Sequence, residues 1–245
     1  MSGWVQVAGL GPGDDRLVTA EVQEAISQAT DIVGYIPYVR RVEPRAGLTL
    51  HESDNRVELD RARHALEMAS QGKRVVVVSS GDPGVFAMAS ALFEAVENGP
   101  KAWQDLDIRI LPGITAMLAA AAQLGAPLGH DFCAINLSDN LKPWELIEKR
   151  LRLAGQAGFA MAFYNPRSKS RPHQFGRALE ILREECGTNT LISFAKDVTK
   201  PTQNLLTVTL AEAVPEMADM RTVVIVGNAD TRQIGRFVYT PRQVQ

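Results

Sequence analysis

Short apolar runs alternate with amphipathic helical stretches along almost the whole chain, and that alternation points to an α/β protein. The runs predict strands at Trp4–Ala8, Asp31–Gly34, Arg74–Ser79, Asp107–Leu111, Phe132–Asn136, Phe159–Tyr164, Thr190–Phe194, Leu205–Thr209 and Thr222–Gly227. Helices fill most of the gaps. Asn55, with Glu58 three residues later, makes a capping box, after which Leu59, Ala62, Leu66 and Ala69 fall on one apolar stripe. Pro143 suits a first helical turn; beyond it Trp144, Ile147 and Leu151 share a face, and Glu145 can pair with Lys149. Phe175, Ala178, Leu179 and Leu182 repeat the helical spacing downstream of Pro172. The first half reads as a parallel, doubly wound sheet, whereas the closer strands of the second half predict a mixed one. Leu111-Pro112-Gly113 ends a strand in a turn signal and separates candidate domains 1–113 and 114–245.

With 245 residues, 45% of them hydrophobic and 22% charged, the chain can bury one large core or two small ones. A net charge of -2 argues against a whole-protein field that attracts nucleic acid. Cys133 and Cys186 stand far apart and in no CxxC pattern, which suits a reducing compartment without disulfides or structural zinc. The most apolar window, Met117 to Ala122, is too short to span a bilayer. The first apolar run is preceded by no basic segment and soon meets Asp14 and Asp15, unlike a signal peptide. A cytoplasmic location without membrane attachment is the expectation.

Three glycine-bearing loops follow strands in the first half. Gly9-Leu10-Gly11-Pro12-Gly13 invites a dinucleotide-binding reading, but Asp14 stands where that fingerprint needs a small residue. Pro12 also removes an N–H from the loop, and Asp31 begins the second strand instead of ending it. By itself the loop reads as a tight turn. Ser79-Ser80-Gly81-Asp82-Pro83-Gly84 has two compatible readings. Asp82 can cap a helix carrying Val85, Met88 and Leu92, with Pro83 as its first residue, and the glycines can admit a ligand at the carboxyl end of a strand. Pro112-Gly113-Ile114-Thr115-Ala116 repeats that logic, with Thr115 as a cap or a pocket residue.

The second half offers polar clusters. Gly129-His130-Asp131-Phe132-Cys133 fits no common zinc spacing, so His130 is read as a structural hydrogen-bonding residue or a pocket residue, with no metal. In Ser138-Asp139-Asn140-Leu141-Lys142-Pro143-Trp144, Asp139 or Asn140 can cap the following helix, and Lys142 can meet an anionic group there. Arg167, Lys169 and Arg171 form a basic run that suits a solvated face or a substrate with several carboxylates; without interleaved aromatics it does not suit nucleic acid. There is no GxSxG elbow, P-loop lysine or HExxH, so a cofactor is expected to carry the reactive group.

Taken in order from Val7 to Asn228, VAGLGPGD, VVSSGDPGVFAMAS, ILPGITAM, GAPLGHDFCAINLSDNLKPWE, AFYNPRS and TVVIVGN resemble the tetrapyrrole methylases. The GHDFC, INLSD and YNPRS segments are similar to the subgroup that methylates ring carbon C17, and Ser53–Arg56, Gly81–Phe86 and Asn140–Trp144 to its oxygen-dependent branch. Asn165 stands where many relatives hold methionine, although asparagine is usual in this subgroup, and INLS replaces the usual ISLS. The resemblance implies two α/β domains with the active site in the cleft between them, a homodimer, and a folded S-adenosylmethionine that leaves as S-adenosylhomocysteine. It carries cofactor contacts onto Pro12, Gly81, Asp82, Pro83, Val85, Thr115, Ala116, Asn165 and Thr222. It also implies that the GxGxG loop, with Gly11, lies toward a tetrapyrrole substrate.

The implied reaction is methylation of precorrin-3B at C17 coupled to ring contraction, giving precorrin-4. A sulfonium methyl needs alignment more than a strong base, but the contraction moves a hydroxyl proton. Asp82, His130 and Asp139 are the candidates for that step, and Lys142 and Arg167 for gripping substrate carboxylates. Three alternatives are a cobalt-factor III C17-methyltransferase of the anaerobic branch, a tetrapyrrole-binding protein without catalysis, and a nucleotide-dependent oxidoreductase that Pro12 and Asp14 disfavour.

Overall fold

A computed structural model describes residues 3–54 and 57–243, which divide into two compact units, Met1–Thr115 and Ala116–Gln245. The Asn55 cap lies outside the described residues. In the first unit the elements run β1 (Trp4–Gly9), α1 (Ala20–Gln28), β2 (Asp31–Tyr35), α2 (Ile36–Val39), β3 (Thr49–Ser53), α3 (Glu58–Ser70), β4 (Arg74–Ser79), α4 (Met88–Glu97) and β5 (Asp107–Leu111). All pairings are parallel, in the order β3-β2-β4-β1-β5. β4 lies between β2 and β1, so its four valines are covered on both faces of the sheet. Val75 and Val77 join Val5, Val7 and Val33 against α3 and α4, while Val76 and Val78 join Ile32 and Ala8 against α1 and α2. This is the doubly wound sheet expected from the sequence.

Two local expectations change. Leu59 is 40% exposed, because α3 turns Ala62, Ala65, Leu66 and Ala69 inward and leaves its first turn in solvent. α4 starts at Met88, so Val85 precedes the helix and neither Asp82 nor Pro83 opens it. The strand β3 escaped the sequence reading because it is an edge strand of polar composition, Thr49-Leu50-His51-Glu52-Ser53.

The second unit runs α5 (Ala116–Leu124), β6 (Gly125–Ala126), β7 (Phe132–Asn136), α6 (Trp144–Gln156), β8 (Ala160–Tyr164), α7 (Gln174–Cys186), β9 (Leu191–Lys196), β10 (Asn204–Thr209), β11 (Thr222–Val226), β12 (Arg232–Ile234) and β13 (Phe237–Tyr239). Its main sheet, β10-β9-β11-β8-β7, is mixed: β7 and β8 are parallel and the other pairs antiparallel. One core fills the face under α6 and α7, where Ile147, Leu151, Phe175, Leu179 and Leu182 meet Met161, Phe163, Phe194 and Val224. A small sheet, β12-β13-β6, was not foreseen; its strands are two or three residues long and carry no periodic signal. No helix among the described residues is long and apolar enough to cross a membrane.

Candidate functional site

In the first unit β4, β1 and β5 are neighbours and parallel, so their carboxyl ends deliver three glycine loops to one edge of the sheet. The loops bond to one another through backbone. Leu10 N–H donates to Ser79 O (2.8 Å), Gly81 N–H to Gly11 O (2.9 Å) and Gly11 N–H to Gly81 O (3.2 Å). Gly11 and Gly81 both take left-handed φ, 66° and 62°. Gly9 is needed for a different reason: a Cβ there would stand 2.6 Å from Gly81 O and 2.8 Å from Gly113 Cα. Small residues are thus demanded by close approach as well as by turn geometry.

Asp82 joins two of these loops. Its Oδ1 accepts from Gly84 N–H at 2.8 Å and its Oδ2 from Gly113 N–H at 3.0 Å. The expected helix cap is therefore a cross-link between the β4 and β5 loops, a function that local sequence could not show. Arg41 braces the first loop by donating to Leu10 O and Asp15 Oδ1. Gly11, Pro12, Gly81, Pro83 and Thr115 are buried, Asp82 and Val85 are half-buried, and Gly84 is exposed.

In the second unit β7 and β8 end at one edge, where antiparallel β11 begins; Val224 pairs with Phe163, so Thr222 comes level with Asn165. Asn165 takes a left-handed φ of 52°, which asparagine tolerates, and its Nδ2 donates to Asn136 Oδ1 (3.1 Å). The same oxygen accepts from Ser138 N–H (2.9 Å). Arg171, only 5% exposed, ties the loops together by donating to Leu137 O (3.2 Å), Asn165 O (3.1 Å) and Met220 Sδ. Its nearest carboxylate is Asp139, at 3.8 Å. Burial lowers the Arg171 pKa, with Asp139 opposing, and a guanidinium stays charged regardless.

Asp139 does not cap α6. Its Oδ2 accepts from Gln174 Nε2 (3.1 Å), and α6 is preceded by Pro143 without any side-chain cap. Pro143 is thus the cap residue itself rather than a first-turn residue. Lys142 is half-buried and donates to Ser138 O (2.9 Å). Burial, then repulsion from Arg150 and Arg171, lowers its pKa, with Asp139 opposing. Arg167 bonds Glu216 (3.3 Å) and Pro172 O (3.4 Å); that exposed ion pair contributes little and exchanges easily. The buried Thr222 hydroxyl already donates to Asp219 Oδ1 (3.0 Å). Ala116 opens α5, where Tyr164 Oη accepts from the N–H of Met117 (3.0 Å).

The structure thus gathers Asp139, Lys142, Asn165, Arg167 and Thr222 at one edge of the second sheet. His130 is not among them. It precedes the amino end of β7, whereas Asp139 follows the carboxyl end, and its nearest acidic neighbour is exposed Asp131 at 3.9 Å. Arg171, Gln174 and Asn136 were missed as site residues. Arg171 was read as part of a basic run suited to a solvated face or a substrate with several carboxylates, but the turn at Ser168–Arg171 points it inward while Lys169 stays exposed.

Loops from the carboxyl ends of parallel strands, in two α/β units, define a ligand-binding class. The chain belongs to the Tetrapyrrole (Corrin/Porphyrin) Methylases, whose family model matches residues 5–214, and it is a methyltransferase of that family. It is 49% identical over 247 residues to a Precorrin-3B C(17)-methyltransferase of Sinorhizobium sp, covering 99% of this chain and 97% of that one. The crystal structure of the methyltransferase CobJ is 73% identical, with a TM-score of 0.96 over 98% of this chain and 100% of that one. A probable cobalt-factor III C(17)-methyltransferase of Salmonella typhimurium is 38% identical over 97% of this chain and 98% of its own.

Proposed function

We propose that this chain transfers the methyl group of S-adenosylmethionine to C17 of precorrin-3B, with ring contraction to precorrin-4. The observation that carries the reading is the 49% identity, end to end, with the Sinorhizobium precorrin-3B enzyme. The lower identity of the Salmonella relative, 38%, makes the cobalt-factor III reaction the second reading. Incubation with metal-free precorrin-3B and S-adenosylmethionine, followed by mass spectrometry and absorption spectra, should yield precorrin-4. Turnover of cobalt-factor III alone would move the enzyme to the anaerobic branch, and tetrapyrrole binding without transfer of a labelled methyl would make it a binding protein.

The residues fit such a cofactor. Gln174 Oε1 is buried without a hydrogen-bond partner, an acceptor of the kind that the cofactor's amino groups satisfy. On the resemblance, the residues that contact the cofactor are Pro12, Gly81, Asp82, Pro83, Val85, Thr115, Ala116, Asn165 and Thr222. The bound group supplies a methyl electrophilic enough for an electron-rich ring carbon to attack without a strong base.

The chain's own residues position and exclude. Asp82 keeps the β4 and β5 loops in register, and Arg171 does the same for the β7 and β8 loops, so the reactants meet preset backbone. Asp139, steadied by Gln174, is the carboxylate that takes and returns the proton moved in ring contraction. Lys142 and Arg167 hold substrate carboxylates, Arg167 by exchanging Glu216 for one. His130 has no part in this scheme. The enzyme works in the cytoplasm as a homodimer.

A further inference from the structure

Arg61 and Arg171 are the buried arginines among the described residues, and they are housed differently. Arg171 reaches backbone carbonyls and has the Asp139 carboxylate at 3.8 Å. Arg61, only 4% exposed, has no carboxylate within ion-pairing distance among the described residues. Its Nε donates to Ser53 Oγ (2.9 Å), its Nη2 to Asp54 O (2.6 Å) and its Nη1 to Met88 Sδ (3.3 Å). A thioether is a weak acceptor, and a guanidinium carries more N–H groups than these partners take. Burial lowers the Arg61 pKa, with Glu58, Tyr38 and Asp54 opposing, and the group stays charged.

The fold has little need of that charge. Ser53 Oγ has its own bond to Gly34 O (3.2 Å), and Asp54 is exposed, so its carbonyl can take water instead. Met88 packs into the core under α3 and α4 whatever stands opposite its sulfur. Taking a cation out of water without a counter-charge is costly, and an apolar side chain of similar size is often as stable in such a place or more so. A charge that the fold shelters at a cost points to a ligand of the opposite sign.

Its place suits one. Arg61 lies near the start of α3, against the carboxyl end of β3 at Ser53 and against Met88, which opens α4 after the Gly81–Gly84 loop. β3, β2 and β4 are parallel, so this is the sheet edge that carries the glycine loops. The planar fork matches a carboxylate, and the flexible, unbranched Met88 side chain is the contact that yields most easily to one. Building on the function proposed above, we propose that Arg61 is a substrate-binding residue of the first unit, pairing its sheltered fork with one carboxylate arm of the tetrapyrrole.

The test uses Arg61→Met, Arg61→Lys and the full-length protein. Arg61→Met keeps an apolar stem and removes the charge, so its urea midpoint should lie at or above wild type. Fluorescence titration with uroporphyrin, a stable polycarboxylate tetrapyrrole, should show about tenfold weaker binding in Arg61→Met, the loss of one charge-assisted pair. Arg61→Lys keeps the charge without the fork and should recover part of that affinity. The KM for precorrin-3B should rise by a similar factor in Arg61→Met, while calorimetric affinity for S-adenosylhomocysteine stays at the wild-type value. Uroporphyrin binding by Arg61→Met equal to wild type overturns the inference and leaves the proposed function standing. A lowered urea midpoint, with uroporphyrin and S-adenosylhomocysteine affinities falling together, also overturns it, by making Arg61 a structural tie. A wild-type protein that neither binds uroporphyrin nor converts precorrin-3B defeats both.

Discussion

Asp82 is the side chain on which the geometry of the first-unit loops turns, and its removal has a size that can be worked out. The carboxylate accepts two backbone N–H groups, from Gly84 in an exposed position and from Gly113 in a part-buried one. Hydrogen bonds to a charged group are worth roughly 1.5–3 kcal/mol each, and an N–H that regains water on mutation recovers part of that. Asp82→Asn keeps one acceptor oxygen and turns an amide N–H₂ toward the other donor, so it should cost about 1.5–2 kcal/mol. Asp82→Ala removes both bonds and should cost about 3 kcal/mol, most of it from Gly113. Urea titration measures these losses, and calorimetry with S-adenosylhomocysteine follows the site. Affinity should fall in the same order as stability, wild type above Asn above Ala, because one bridge sets both. Wild-type stability in Asp82→Ala would refute the bridge, and lost stability with unchanged affinity would reduce Asp82 to scaffolding.

Arg171→Met should cost about 2–4 kcal/mol, since it strips the carbonyls of Leu137 and Asn165 of a charged donor. Arg171→Lys should recover only part of it, because a single nitrogen, Nη1, serves both carbonyls but an ammonium cannot also supply the Nη2 contact to Met220 Sδ; thermal melts and cofactor calorimetry would show it. Burial, then Glu185, raises the Cys186 thiol to about 11, so its neutral form is favoured in the fold. A raised pKa gives stability that is whole below the unfolded value near 9 and is lost as pH climbs to 11. After discounting for partial exposure this amounts to about 1–2 kcal/mol, which Cys186→Ala should abolish in urea titrations at pH 8 and 11. Asp31, buried at the start of β2, goes the other way. Burial raises its pKa, but hydrogen bonds from Thr30 and His51 and the charge of Lys73 outweigh that and lower it. Its stabilisation is whole above the usual carboxylate range near 4 and disappears as acid titrates it, so Asp31→Asn should flatten the acid limb of the melting curve. His130→Ala should leave precorrin-4 formation at the wild-type rate, and slow turnover would return it to the site.

Much of the fold was legible because its signals are local. The valine run of β4, the stripe of α7 and the glycines after β1, β4 and β5 each depend on neighbours within a few residues. The polar edge strand β3 and the short strands β6, β12 and β13 were not legible, because pairing rather than composition makes them strands. The same divide runs through the site. Asp82 and Asp139 stood out in sequence, but each was offered a helix to cap when the structure gives Asp82 a partner in the β5 loop and Asp139 one at the start of α7. Arg171 stood out only as one member of a basic run, not as a buried tie between loops.

What the sequence determined by itself was the alternation of strand and helix, the parallel first sheet and mixed second one, and the loops that carry chemistry. Local backbone preference and side-chain patterning suffice for those. Only tertiary structure decided that β1 lies between β4 and β5, that Asp82 reaches Gly113 across 31 positions and that Arg171 reaches Leu137 across 34. Such contacts depend on strand order and register, and no residue carries either alone.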